Sequence, residues 1–178
     1  MKRIFVATVL AVLLVVTGAF VARKSPLTKA TTTVHADGGG VCSLAAVAGN
    51  YGFTLSGTII LSTGGVPAGA IGRATLDVNG DVSGTEARNV GGSFAHERFM
   101  GTFTVNPDCT GTTTVRFFDS ESGNLVRTSV LSILFDDNSN EIRFVQQSLT
   151  VPLPDGTTTT LPVVITAEAR KISPNSGN

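Results

Sequence analysis

The chain has 178 residues, which is enough for one ordinary domain once any targeting segment is removed. It is 42% apolar and 15% charged, with 20 glycines and no tryptophan, a composition that excludes a disordered chain or a coiled coil and favours a compact sheet protein. Five basic and no acidic residues precede residue 37, so residues 37–178 carry eight basic against thirteen acidic side chains, a net charge of −5. This negative charge argues against nucleic acid or an anionic membrane surface as a partner.

Residues 1–36 have the features of an export signal followed by a flexible tether. Lys2 and Arg3 precede an uncharged run over residues 4–22. Cleavage is expected after Ala19 or after Ala36, which would make the protein secreted or periplasmic. The run is also long enough to cross a bilayer, so an uncleaved N-terminal membrane anchor is the alternative, and only then would a membrane be a partner.

After a linker and cap segment at residues 37–48, apolar and polar residues alternate in a way that predicts β-strands. In the first strand, Tyr51, Phe53 and Leu55 alternate with polar or small residues, as in a strand with one buried face. Turn signals separate the strands, among them Asn79-Gly80 and the glycine-rich residues 64–67. The predicted strands are residues 50–61, 70–78, 82–89, 94–105, 112–119, 125–135, 141–149 and 161–171.

Eight antiparallel strands at hairpin spacing predict an all-β fold, a single closed β-barrel over residues 49–171. The interior of such a barrel is either filled by side chains or holds one small ligand. A two-sheet β-sandwich is the alternative. Residues 172–178 are predicted to be a disordered tail.

Cys42 and Cys109 are the only cysteines in the chain, and in an exported protein they are expected to form a disulfide. Two buried free thiols are the alternative. The sequence Asn106-Pro107-Asp108 predicts a tight turn that places Cys109 at one end of the barrel. The bridge would then hold the segment around Cys42 over that end.

No metal and no cofactor are predicted. A zinc or copper site would need more Cys or His residues than the single His96 of the folded part supplies. Residues 136–140 imitate the first half of a calcium loop, but Glu141 and Gln147 stand where that loop needs Gly and Glu, so we expect a hairpin turn. No phosphate-binding glycine loop followed by Lys and Ser or Thr is present.

Glu97 is the candidate catalytic residue. It shares its parity with Phe99 and Phe103, so it is expected to point into the barrel, where a carboxyl group could act as a general acid or base. The alternative is a barrel mouth where Glu97 contacts water or pairs with an arginine. His96 and Arg98 have the opposite parity and are expected on the outside. The candidate ligand-binding residues are the inward-facing aromatic ones: Tyr51, Phe53, Phe99, Phe103 and Phe117.

Three stretches carry a family resemblance: Gly49-Asn50-Tyr51-Gly52-Phe53, the segment from Gly69 to the turn Asp77-Val78-Asn79-Gly80, and Gly101 to Thr112 with its Val-Asn-Pro-Asp-Cys-Thr-Gly run. Through them, residues 42–171 resemble an uncharacterised branch of exported bacterial proteins similar to the allene-oxide-cyclase-type barrel family, a relative in shape of dirigent proteins and of lipocalin-like (calycin-like) barrels. The resemblance implies a barrel. The wider group includes cyclases and isomerases that fold a reactive substrate inside the barrel, but no position here matches the catalytic residues of the cyclases.

The function expected from these observations is the binding of a small apolar ligand inside an exported barrel. A cofactor-independent cyclase or isomerase acting inside the barrel is one alternative, and its catalysis would rest on holding the substrate in a reactive conformation. A structural cell-envelope protein with a solid core is the other. A barrel packed solid by its phenylalanines would favour the structural role.

Overall fold

The computed structural model describes residues 42–172, which form a closed antiparallel barrel of eight strands with one additional strand. The elements are α1 (Leu44–Val47), β1 (Gly49–Leu61), β2 (Gly64–Leu76), β3 (Asp81–Val90), β4 (Ser93–Phe103), β5 (Thr110–Asp119), β6 (Leu125–Asp136), β7 (Glu141–Pro152), β8 (Thr158–Leu161) and β9 (Val163–Lys171). Strands β1 to β7 pair in chain order, and β9 closes the ring by pairing with both β1 and β7. The predicted barrel is confirmed, and the sandwich alternative is wrong.

The additional strand exists because Pro162 divides the last strand of the chain into two. Proline has no N–H to donate to a ladder, so it interrupts strand pairing. Upstream of it β8 pairs with the end of β7, and downstream β9 pairs with the start of β7 and with β1. The sequence prediction started this strand at Leu161 and missed β8.

The glycine-rich segment 64–67, predicted as a turn, is instead the beginning of β2. Ser62 and Thr63 make the turn, and β1 and β2 pair from Gly49↔Leu76 to Leu61↔Gly64. Pro67 is tolerated because its carbonyl oxygen, which faces β3, accepts from the N–H of Gly91, beyond the last β3 residue. Within a strand the N and O of one residue point to the same side. The N–H that Pro67 lacks would therefore have pointed beyond the end of β3, so no bond between β2 and β3 is lost.

Three other predicted turns are confirmed, and these three lie at one end of the barrel. In the β2–β3 turn, Asp77 Oδ1 accepts from the backbone N–H groups of Asn79 at 2.8 Å and Asp81 at 2.9 Å. In the β4–β5 turn, the N–H of Cys109 donates to the carbonyl of Asn106 at 3.0 Å, and Cys109 takes the left-handed conformation with φ 66°. Residues 137–140 form the β6–β7 turn, as expected from their Asp and Asn content.

The same end is covered by α1, and we call it the capped end. The predicted disulfide is present between Cys42 and Cys109, with their Cα atoms 5.0 Å apart. Val47 is fully buried, and the hydroxyl group of Tyr51 lies 2.6 Å from the Val47 carbonyl oxygen and 2.9 Å from that of Ser139. The bridge and the Tyr51 hydroxyl therefore fix the N-terminal segment over the barrel end, and the bridge is compatible with an extracytoplasmic location.

Within residues 42–172, no helix has the length and apolar character needed to cross a membrane. The predictions of a signal peptide or anchor and a tether at residues 1–36 fall outside the described residues, as does the predicted tail from residue 173 onward.

Candidate functional site

The barrel interior is apolar next to the capped end. The layer nearest α1 consists of buried side chains from six strands: Tyr51, Leu76, Val82, Phe103, Ile142 and Ala169. Above it Phe53, Phe99 and Phe117 pack against each other, with ring centroids 5.9 Å apart for the first pair and 5.3 Å for the second. This half of the barrel leaves a lower cavity of only about 90 Å³.

Two glycines make room for these rings. A Cβ atom on Gly72 would lie 2.6 Å from the ring of Phe53, and one on Gly84 would lie 2.4 Å from the ring of Phe99. Each ring thus covers a glycine on an adjoining strand, an arrangement that lets a narrow barrel bend while its interior stays filled.

A cluster of charged side chains lies above the phenylalanines, and we call Glu86, Arg88, Glu97 and Arg127 the carboxylate–arginine cluster. Glu86 on β3 and Glu97 on β4 are directly paired across the two strands, and they are 3% and 1% exposed. Because adjacent buried carboxylates repel each other, this placement requires cations nearby.

Arg127 supplies most of this compensation. Its Nη2 donates to Glu86 Oε1 at 2.6 Å, and its Nη1 donates to Glu97 Oε2. The guanidinium also stacks 3.6 Å above the ring of Phe117, a favourable cation–π contact. Arg88 donates from Nε to Glu97 Oε1, so both oxygens of Glu97 are bonded to arginines.

Glu86 is less completely satisfied than Glu97. Its second oxygen, Oε2, is buried without a hydrogen-bond partner. Burial raises the pKa of Glu86, an effect that the positive charge of Arg127 opposes. The protein therefore holds one carboxyl group whose charge is only partly compensated.

Between the cluster and the uncapped end lies a cavity of about 150 Å³, which we call the upper chamber. Its wall is mostly aliphatic: Leu55, Ile59, Ala70, Val126, Leu149 and Ile165. Gln146 also reaches it, but its Nε2 is occupied, because it donates to Ser129 Oγ and to the carbonyl of Ser148, both at 3.0 Å. The upper chamber is thus an apolar space with charged groups on its floor.

Of the predicted catalytic and ligand-binding residues, the structure brings only Phe117 to this chamber. Glu97 points inward as its parity indicated, and His96 and Arg98 are exposed on the outside. All five candidate aromatic residues line the lower cavity, and Phe117 alone among them also borders the upper chamber. The Tyr51 hydroxyl is bonded at the capped end and the phenylalanine rings are packed together, so these aromatic residues belong mainly to the core.

The sequence interpretation missed Glu86, Arg88 and Arg127. A signal for the first two exists. Glu86 and Arg88 continue the every-second-residue series of Val82, Gly84 and Val90 along β3, so they have the same inward parity. Arg127 has the same relation to the inward residues of β6.

A larger hollow of about 770 Å³ lies on the outer surface of the barrel, where Ile71, His96 and Glu168 are among its residues. This hollow is open to solvent rather than enclosed. Within residues 42–172, no group of three or more His, Cys, Asp or Glu side chains is placed to hold a metal ion.

No protein-family model matches this chain, and a search of curated proteins finds no match to it. The resemblance to the allene-oxide-cyclase-type family therefore rests on turn and strand-start motifs alone.

Proposed function

We propose that this protein is an exported barrel that binds a small, mostly apolar molecule in the upper chamber. The observation that carries the proposal is the chamber itself, an aliphatic cavity of about 150 Å³ in a barrel whose other half is packed with phenylalanine rings. A protein that needed only a solid core would gain free energy by filling that space, because cavities lose packing contacts.

The size of the chamber limits the ligand. An apolar cavity of roughly 150 Å³ takes up benzene, whereas pockets for drug-sized ligands usually measure about 300–1,000 Å³. A single-ring compound or a short branched chain fits the volume, and a lipid or a fatty acid does not.

The catalytic alternative receives less support from the site. A general acid or base needs a free oxygen that reaches the substrate. Both oxygens of Glu97 accept hydrogen bonds from arginines, which favours a role for Glu97 in holding Arg88 and Arg127.

Export is part of the proposal. The basic and apolar residues of segment 1–22 and the Cys42–Cys109 bridge both favour an extracytoplasmic location, where disulfides persist. Mass spectrometry of protein taken from its native cells tests this directly. A chain that starts after Ala19 or Ala36 with its thiols oxidised is expected, and full-length reduced protein in the cytosol would contradict export.

Toluene is a suitable probe for the chamber. Titration of the oxidised protein, followed by methyl NMR, should give saturable shifts for Leu55, Ile59 and Ile165, which border the chamber. Methyl groups next to α1 should not move. Absence of any saturable shift would contradict the proposal and favour a structural envelope protein.

A pair of variants on β2 separates binding in the chamber from binding elsewhere. Ala70→Leu adds three carbons to the chamber wall and should abolish the shifts, whereas Ile71→Leu alters an outward side chain that is 63% exposed and should leave them unchanged. If Ala70→Leu does not fold, Val126→Phe fills the chamber nearer the uncapped end. Toluene shifts that survive in a folded, filled variant would place the binding outside the chamber.

A further inference from the structure

Glu86 carries an oxygen that the chain itself does not satisfy. Among the side-chain nitrogens and oxygens of residues 42–172, Glu86 Oε2 stands alone in being buried with no hydrogen-bond partner, while its Oε1 is held by Arg127 at 2.6 Å. Such orphan groups are rare in native proteins because their desolvation is costly. An orphan oxygen beside a cavity is where a group from outside the chain would be stabilising.

The position of Glu86 matches such a role. It is among the residues that border both the lower cavity and the upper chamber, so its buried side chain lies between them. The terminal torsion of a glutamate side chain is broad, so the Glu86 carboxylate can turn about its last bond to meet a ligand in the chamber.

The charge of the cluster restricts what can bind. Two carboxylates and two guanidinium groups balance each other when all four are ionised. A bound cation or anion would add an uncompensated charge in a place where Glu97 is 1% exposed and Glu86 is 3% exposed, which is costly. A neutral ligand adds no such charge.

We propose that the ligand of the upper chamber is a neutral molecule of about the size of benzene that carries one hydroxyl group, which donates its hydrogen to Oε2 of Glu86. This inference rests on the proposed function, because it specifies the chemistry of the molecule that the chamber holds. The aliphatic wall contacts the apolar part of the ligand, and Glu86 fixes its orientation.

A hydroxyl group suits this carboxyl better than a group that only donates. Burial raises the pKa of Glu86, so its protonated form persists to higher pH than in an exposed glutamate. A hydroxyl group donates to the ionised form and accepts from the protonated form, so it pairs with Glu86 in both.

Phenol and toluene test the inference, because they have nearly the same shape and differ by a hydroxyl in place of a methyl group. The measured quantity is the ratio of the toluene Kd to the phenol Kd. Both constants are determined at a pH well above the ordinary pKa of a carboxyl group. Glu86→Met should lower this ratio about fivefold or more. The toluene Kd of the same variant separates loss of the hydroxyl contact from a general change of the chamber, because both compounds experience the latter. The matched control is Glu168→Met, which alters an exposed glutamate on β9 and should leave the ratio unchanged.

A second measurement needs no variant. The carboxyl ¹³C resonance of Glu86 in the wild-type protein should shift on addition of phenol but not of toluene. If the ratio and the resonance stay unchanged while toluene binds, the hydroxyl proposal is wrong and the proposed function stands. If neither compound binds, the proposed function itself fails. Tighter binding of benzoate or benzylamine than of phenol would overturn the choice of a neutral ligand.

Discussion

Loss of the disulfide bridge should destabilise the protein strongly, and the double variant Cys42→Ala/Cys109→Ala tests this without leaving a free thiol. The bridge joins residues 67 positions apart. A cross-link that closes a loop of this length restricts the unfolded chain and contributes about 4 kcal/mol in the chain-entropy model. Alanine at position 109 meets the same left-handed backbone as the cysteine, with φ 66°, so the substitution adds no backbone strain of its own.

The expected change in melting temperature follows from this free energy. With roughly 2.1 cal/mol/K of unfolding entropy per residue over residues 42–172, a loss of about 4 kcal/mol lowers Tm by about 15 °C. Calorimetry or circular dichroism measures this shift. Wild-type protein treated with a reductant is the matched control, and its Tm should agree with that of the double variant.

The chain also contains a spectroscopic reporter for the capped end. Tyr51 is the only tyrosine and there is no tryptophan, so tyrosinate absorbance follows this one side chain. Burial raises the pKa of Tyr51 to about 12 in the intact protein. When the bridge is absent and α1 is held less firmly, the pKa should fall toward the ordinary value of 10.

Two results would refute this reasoning. A Tm within about 2 °C of the wild type would mean that the bridge contributes little, since 1 kcal/mol corresponds to about 4 °C for a domain of this size. An unchanged Tyr51 titration in the double variant would mean that α1 stays in place through its other contacts alone.

Three further perturbations address the cap, the cluster and the barrel wall. The free energy of unfolding should fall as pH rises from 10 toward 12, because folded Tyr51 keeps its proton to higher pH than unfolded Tyr51. Tyr51→Phe should remove that fall, and an identical pH slope in both proteins would contradict the prediction. Arg127→Met should lower the free energy of unfolding in urea by about 3–5 kcal/mol, because two buried carboxylates lose a cation, whereas the exposed Arg143→Met should lower it by less than about 1 kcal/mol. Equal decreases in the two variants would contradict this prediction. Gly101→Ala places a Cβ 1.9 Å from a carbonyl oxygen of β5 and should abolish soluble expression, whereas the Cβ of Gly69→Ala lies 3.7 Å from its nearest neighbour and this variant should express normally. Comparable yields of the two variants would show that the barrel wall is not as tightly packed as described.

Much of the barrel could be predicted from local signals. Alternation identified the strands, and Asn79-Gly80 and Asn106-Pro107-Asp108 identified two of the turns, because these features depend on near neighbours in sequence. Strand β8 was missed because Thr158, Thr159 and Thr160 show no alternation, and its existence depends on pairing with β7 rather than on its own composition.

The candidate site was harder to predict because it is assembled across the barrel. The parity pattern correctly predicted that Glu97 points inward. However, its partner Arg127 lies 30 positions away in the sequence, and Glu86 lies 41 positions from the same arginine. No local pattern indicates which inward arginine meets which inward glutamate. The volume of the upper chamber likewise depends on how all the strands close into the barrel, so the presence of a cavity could not be predicted from the sequence.

The closure of the ring also bears on how the protein behaves at high concentration. Exposed strand edges recruit further strands and lead to aggregation, and a closed barrel has none. Within the part of the chain that the structure describes, the four-residue strand β8 pairs only with β7 and so keeps one unpaired side. Pro162 directly follows it and cannot donate to an incoming strand, which makes this edge a poor template for association. A closed ring with so short an edge should therefore keep the protein dispersed at high concentration.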